Sequence, residues 1–213
     1  MLEMLLCPTR FSNLLFSIPP VEEIGADTTV DQVSFLTFAA PSGGGNVTFD
    51  PSGEKAIDFS SGHLENLGNV AINPGQSPFE LSLDLYLRSY SPSTERVIFS
   101  QINPQTGGGT YGLTMYNGVG GTGRVSFFWT TRGTLQSRSV ITSDRDFPLL
   151  EYTNIRVVHT GAQMRMYFGE TLVASAQAPT VYYAALPVGI GGHYGLNEYN
   201  IDGFLKNLSV SRI

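Results

Sequence analysis

Phe79-Glu80-Leu81-Ser82-Leu83-Asp84-Leu85-Tyr86-Leu87 places a large apolar side chain at every odd position and Glu, Ser, Asp or Tyr between them. Side chains of an extended chain point alternately to opposite sides, so period two along this stretch specifies a strand with one buried and one wet face. A helix would scatter the same leucines around its circumference instead of gathering them in a stripe.

Shorter runs with the same character recur on both sides. Upstream they are Asp31–Ala39, Ala56–Phe59 and Asn69–Ile72. Downstream they are Arg96–Gln101, Tyr111–Tyr116, Arg124–Thr130, Ser137–Ile141, Asn154–Thr160, Gln163–Phe168, Glu170–Gln177, Val188–Ile190 and Gly203–Arg212. The joints are turn material: Pro41 to Asn46, Gly107-Gly108-Gly109, Asn117-Gly118, Gly120-Gly121-Thr122-Gly123, and Phe168-Gly169-Glu170 as a tight hairpin. Many short strands with no amphipathic helix between them predict an all-β, two-sheet antiparallel β-sandwich. None of the Gly-rich loops leads from a strand into a helix, so phosphate-cradling loops are excluded.

Residues 1–30 read differently. Leu2, Leu5, Leu6, Phe11, Leu14, Leu15 and Phe16 come in clumps, and Pro19-Pro20 stops any helix. We assign 1–30 to a short apolar arm that anchors the domain of residues 31–213, with Leu5, Leu6, Phe11, Leu14, Leu15 and Phe16 as the assembly residues. Docking on the arm's own domain or on a neighbouring subunit would both bury these side chains. Glu3 and the lack of a basic leader argue against a signal peptide.

Composition narrows the functional classes. Charged residues make up 14% of the 213, the net charge is −6, and the 12 Lys and Arg are scattered. A nucleic-acid groove needs a concentrated basic stripe, and an anionic membrane surface needs a polybasic one. No stretch approaches the roughly 18 apolar residues of a membrane span. One cysteine, Cys7, leaves no disulfide framework and no cysteine zinc site.

Several segments resemble the laminin G-like, concanavalin A-like jelly-roll family, of the kind found in bacteriophage virion proteins. Phe79–Leu87, Tyr152–His159 and Met164–Ala174 are similar to its central strands, and Ile190-Gly191-Gly192 with Tyr199–Arg212 to its closing element. Asp50-Pro51-Ser52-Gly53 and Lys55–Phe59 resemble its lead-in, so the likeness covers about residues 31–213. Tyr152 departs from the Trp that many members carry there. The resemblance implies a structural virion protein (head decoration, fibre or tail-associated) located on the particle surface. Its partners would be other virion proteins and further copies of itself, as a homo-oligomer such as a trimer. The alternative is a lectin-like module that contacts host glycans.

Catalysis is not expected. Glu80 and Asp84 share a strand face but lie about 13 Å apart along it, whereas glycosidase carboxyls stand about 5–9.5 Å apart. His63, His159 and His193 show no metal spacing. A rim calcium would need six to eight oxygens, and Asp144 and Asp146 flank Arg145 without further carboxylates, so the expectation is no cofactor, with calcium as the alternative. Asn46-Val47-Thr48 and Asn207-Leu208-Ser209 match the glycosylation sequon, as chance allows in a Ser/Thr-rich chain. Sugar sites combine aromatic faces with Asn and hydroxyl-binding groups. Phe128-Trp129-Thr130-Thr131-Arg132 and the loop Gly191–Tyr199 have that composition, and the candidate residues are Trp129, His193, Tyr194, Asn197 and Tyr199.

Overall fold

The structure is a computed structural model. It describes residues 14–18, 28–30, 37–39, 45–60, 62–70, 77–90, 95–103, 105–116, 123–178, 180–196 and 199–213. Among these residues the chain runs through β1 (Leu14–Ile18), β2 (Thr28–Val30), β3 (Thr37–Ala39), β4 (Asn46–Phe49), β5 (Lys55–Asp58) and β6 (Leu64–Val70). It continues through β7 (Phe79–Leu87), β8 (Arg96–Asn103), β9 (Gly108–Tyr116), β10 (Arg124–Thr130) and β11 (Arg138–Asp146). β12 (Tyr152–His159), β13 (Gln163–Phe168), β14 (Thr171–Gln177), β15 (Leu186–Ile190) and β16 (Gly203–Arg212) complete it. The described residues contain no α-helix, only a 3-10 turn at Leu135–Ser137.

Sheet A has the order β14-β13-β12-β7-β16-β5-β4, with β1 added on β16. Sheet B has the order β11-β10-β9-β8-β15-β6-β3-β2. The strand that decided the fold sits in the middle of sheet A. Phe79, Leu81, Leu83, Leu85 and Leu87 are fully buried, and the residues between them are half-buried. Leu83 lies opposite Ile155 of β12, and Leu85 opposite Leu205 of β16. Each such side chain stabilises the fold by about 1.5–3 kcal/mol through burial.

The inner face of sheet B mirrors this with aromatic residues. Val125, Phe127 and Trp129 of β10 and Tyr111 and Leu113 of β9 enter the shared core. Tyr111 bridges the sheets, its ring 5.8 Å from Phe79 and 6.0 Å from Phe127. The chain is a two-sheet antiparallel β-sandwich of the concanavalin-like, jelly-roll kind.

Two expectations need correction. The boundary at residue 31 moves, because of the two dockings open to residues 1–30 the described stretches take the one on their own domain. β1 pairs with β16, Leu14 opposite Ser211 and Ile18 opposite Leu208, and Ile18 is buried in the core. β2 pairs with β3 in sheet B. The reason lies in β16, whose register shifts between Lys206 and Ser209 around Asn207, a residue at φ 56°. The shift re-aims the strand: Phe204 and Leu205 pair with β5, and the stretch beyond pairs with β1, which covers an otherwise open edge. Leu14, Leu15 and Phe16 therefore belong to a strand of the sandwich, while Leu5, Leu6 and Phe11 lie outside the described residues.

β11 also runs beyond the expected Ser137–Ile141, through Ser143-Asp144-Arg145-Asp146. It is the outer strand of sheet B, and charge on an outer strand discourages edge-to-edge pairing. Asp144 and Asp146 are taken up there by ion pairs with Arg145 at 2.8 Å and Arg124 at 3.0 Å.

Candidate functional site

The two outer faces of the sandwich differ in what their polar groups are doing. On sheet A they are engaged with one another. Arg88 binds Asp58 at 2.9 Å and Asp202 at 3.1 Å, and lies 4.1 Å over the Phe204 ring. Arg156 faces Glu80 at 3.6 Å, and Asp84 accepts from Asn154 and Asn207, each at 2.8 Å. Lys206 pairs with Asp50 and Glu54 while its ammonium sits 4.0 Å over the Tyr152 ring. Burial would raise the Asp50 carboxyl, but hydrogen bonds from Ser52, the Glu54 backbone and Lys206 hold it well below the usual carboxylate range. Glu80 and Asp84 are thus committed to partners rather than open to a substrate.

Sheet B presents a groove. Its floor is the outward face of β10, Ser126 and Phe128, with Thr114 of β9 beside them. Arg138, Val140 and Thr142 of β11 form one wall, and Glu95, just before β8, closes the other side. This first hollow has a volume of about 240 Å³. A second, of about 210 Å³, adjoins it and shares Glu95, Phe128 and Arg138. Ile102, Leu135, His193, Leu196 and Tyr199 complete its lining.

Gly112 makes room for the floor. A Cβ there would stand 2.6 Å from the Phe128 ring, so only glycine leaves room for that ring against β9. Ser126 and Thr142 share a hydrogen bond of 2.8 Å between hydroxyls. Among the described residues, the side chains of Glu95 and Arg138 have no hydrogen-bond or ion-pair partner. A carboxylate offering two acceptors, a guanidinium offering a fork of donors, hydroxyls and an apolar floor are the groups that recognise a polyhydroxylated ligand with apolar faces.

The wall over the second hollow is the loop after β15, and buried polar groups hold it in place. Gly191, at φ 74°, packs so tightly on Phe59 that a Cβ would come within 2.1 Å of the ring. Glu65 of β6 accepts from Gly195 N–H at 2.8 Å and faces His63 Nε2 at 3.3 Å. A carboxylate can only accept, so His63 donates from Nε2. His193 Nδ1 lies 3.3 Å from Ser100 Oγ, and its ring meets the Tyr199 ring at 5.2 Å, edge on. Burial, helped by nearby His63, pushes the His193 imidazole down to about 4, so it is neutral at physiological pH.

The sequence candidates fall out unevenly on this geometry. His193 and Tyr199 line the second hollow together. Tyr194 is half-buried in the same loop, and Asn197 lies outside the described residues. Trp129 is a correction: it is 2% exposed, within the core, with its ring stacked 6.4 Å from Phe127. Its ring faces the core shared by the two sheets and lines neither hollow. Its neighbour Phe128, one residue away and therefore on the opposite side of the sheet, lines both hollows, though only 5% of it is exposed at their base. Sequence reading missed Glu95, Thr114, Ser126 and Arg138. The alternation Val125, Phe127, Trp129 was the signal that could have turned attention to Ser126 and Phe128.

No family model and no curated protein matches this chain. Solved structures do. Domain 4 of AbnA, an extracellular arabinanase from Geobacillus stearothermophilus in complex with arabinotriose, aligns with a TM-score of 0.66 at 11% identity, covering 94% of this chain and 92% of that domain. The binding domain of botulinum neurotoxin serotype D aligns with a TM-score of 0.64 at 12% identity, covering 95% of this chain and 49% of that one. A Trypanosoma rangeli sialidase in complex with the inhibitor DANA aligns with a TM-score of 0.58 at 13% identity, over 94% of this chain and 31% of that one. The chain thus spans about half of the toxin domain and a third of the sialidase. At these identities the likeness establishes the fold.

Proposed function

We propose that the protein is a non-catalytic glycan-binding module that takes its ligand in the groove on the outer face of sheet B. The observation that carries this reading is the contrast between the two faces. Sheet A closes its charges on one another, whereas the sheet B groove holds Glu95 and Arg138 without partners around the Phe128 floor. Leaving such groups open costs little at a wet groove and prepares them to replace water around sugar hydroxyls. A solved neighbour that carries arabinotriose, AbnA domain 4, is consistent with this use of the fold. Virion display, the other expectation, has no feature of the described residues in its favour, so the glycan reading goes forward.

The test is a glycan array probed with the wild-type chain and with Glu95→Ala and Arg138→Ala. The reading expects a defined set of glycans retained by wild type and lost by both variants, with thermal stability unchanged. An empty array, or signals indifferent to both substitutions, would reject it.

A further inference from the structure

The shape and charge of the groove say more about the ligand than that it is a glycan. Glu95, Phe128 and Arg138 line both hollows and so mark a waist between them. One hollow extends from the waist over Ser126 to Thr142, and the other passes beneath the loop carrying His193 and Leu196. Arg138 and Thr142 alone are four strand residues apart, about 13 Å along β11. A single sugar ring seated in either hollow would leave the other empty and the waist half used.

Charge is equally specific. The two unpartnered ionised groups of the lining are one carboxylate and one guanidinium, so the groove has no net charge to offer. His193 is neutral at the rim, its proton affinity lowered by burial. An acidic sugar would meet Glu95 wherever it met Arg138, and repulsion from the one would offset attraction to the other.

We infer that the groove binds an uncharged oligosaccharide of at least two units, one in each hollow, with the glycosidic linkage crossing the waist between Glu95 and Arg138 over Phe128. This rests on the glycan-binding reading and adds the ligand's charge and minimum length. Glu95 and Arg138 bind ring hydroxyls on either side of the linkage, and the Phe128 floor excludes water beneath it. Both hollows are open-sided, so longer chains pass through rather than being capped.

Calorimetric titration of the full chain tests this, using neutral arabino-, xylo-, gluco- and manno-oligosaccharides of one to four units and galacturonic acid oligomers of the same lengths. For the series that binds, affinity is expected to rise at least about tenfold from one unit to three, with the acidic series at least about tenfold weaker. Thr142→Trp, at an exposed position, fills the first hollow, and Leu196→Trp, half-buried, fills the second. Each is expected to lower trimer affinity at least about tenfold, with a thermal melt confirming the fold. The inference is overturned, with glycan binding intact, if a monosaccharide binds as tightly as its trimer. It is equally overturned if acidic oligomers bind better, or if only one filling variant matters. Silence across all series overturns both the inference and the reading beneath it.

Discussion

Glu65→Ala probes how the groove is built, because Glu65 ties the loop after β15 to the body of sheet B. The carboxylate is 5% exposed and accepts from Gly195 N–H at 2.8 Å and His63 Nε2 at 3.3 Å. Truncation leaves the buried His63 Nε2–H without an acceptor, beside an Nδ1 that already has no partner, while the exposed Gly195 N–H can turn to water. One orphaned buried donor sets the expected loss at about 1–3 kcal/mol. For a chain of this size that corresponds to roughly 2–12 °C in Tm. Glu65→Gln keeps an acceptor for Gly195 and should cost well under half as much. The assay is urea unfolding of wild type and both variants, alongside hydrogen exchange of residues 191–196. Faster exchange confined to that loop in the Ala variant, largely restored in the Gln variant, is the expected outcome. Equal stability of all three proteins with unchanged loop exchange would refute the reasoning.

Trp129→Ala should destabilise the fold by about 3–5 kcal/mol, as for a large buried aromatic, whereas Trp129→Phe should keep glycan affinity within about twofold. Loss of binding in a stable Trp129→Phe protein would return that residue to the site. Gly112→Ala drives a methyl into the Phe128 ring and should cost about 1–3 kcal/mol and abolish binding, read by melting and titration on one sample. Acid should weaken the fold in two stages. His193 titrates lower in the folded than in the unfolded chain, so its stabilisation is complete above its ordinary value of 6.5 and falls away towards pH 4, by at most about 3 kcal/mol. Asp50 is depressed too, so its contribution is present above the ordinary 3.8 and is lost only as pH falls further. Stability against pH for His193→Gln should lose the first stage and keep the second; an unchanged profile would contradict the assignment.

What could be read from the chain follows from how local each signal is. β7 announces itself because its alternation is complete within one segment, and Gly169 at φ 55° does the same for the β13–β14 hairpin. β1 hides because its partner, the far end of β16, lies at the other end of the chain and its apolar residues do not alternate. The charged half of β11 reads as a loop although it is an outer strand. The groove is the least local feature of all. Glu95, Phe128, Arg138 and His193 come from four separate segments, and only the strand order of sheet B brings them together. The parity that separates Phe128 from Trp129 was present in the sequence, and it decides which ring lines the groove and which packs in the core.

The most direct test of the account is hydrogen exchange mapped with and without a saturating neutral trisaccharide selected by titration. The account predicts protection concentrated on β9, β10 and β11 and on residues 193–196, with the outer face of sheet A unchanged. Protection centred on β7, β12 and β16 instead would contradict it.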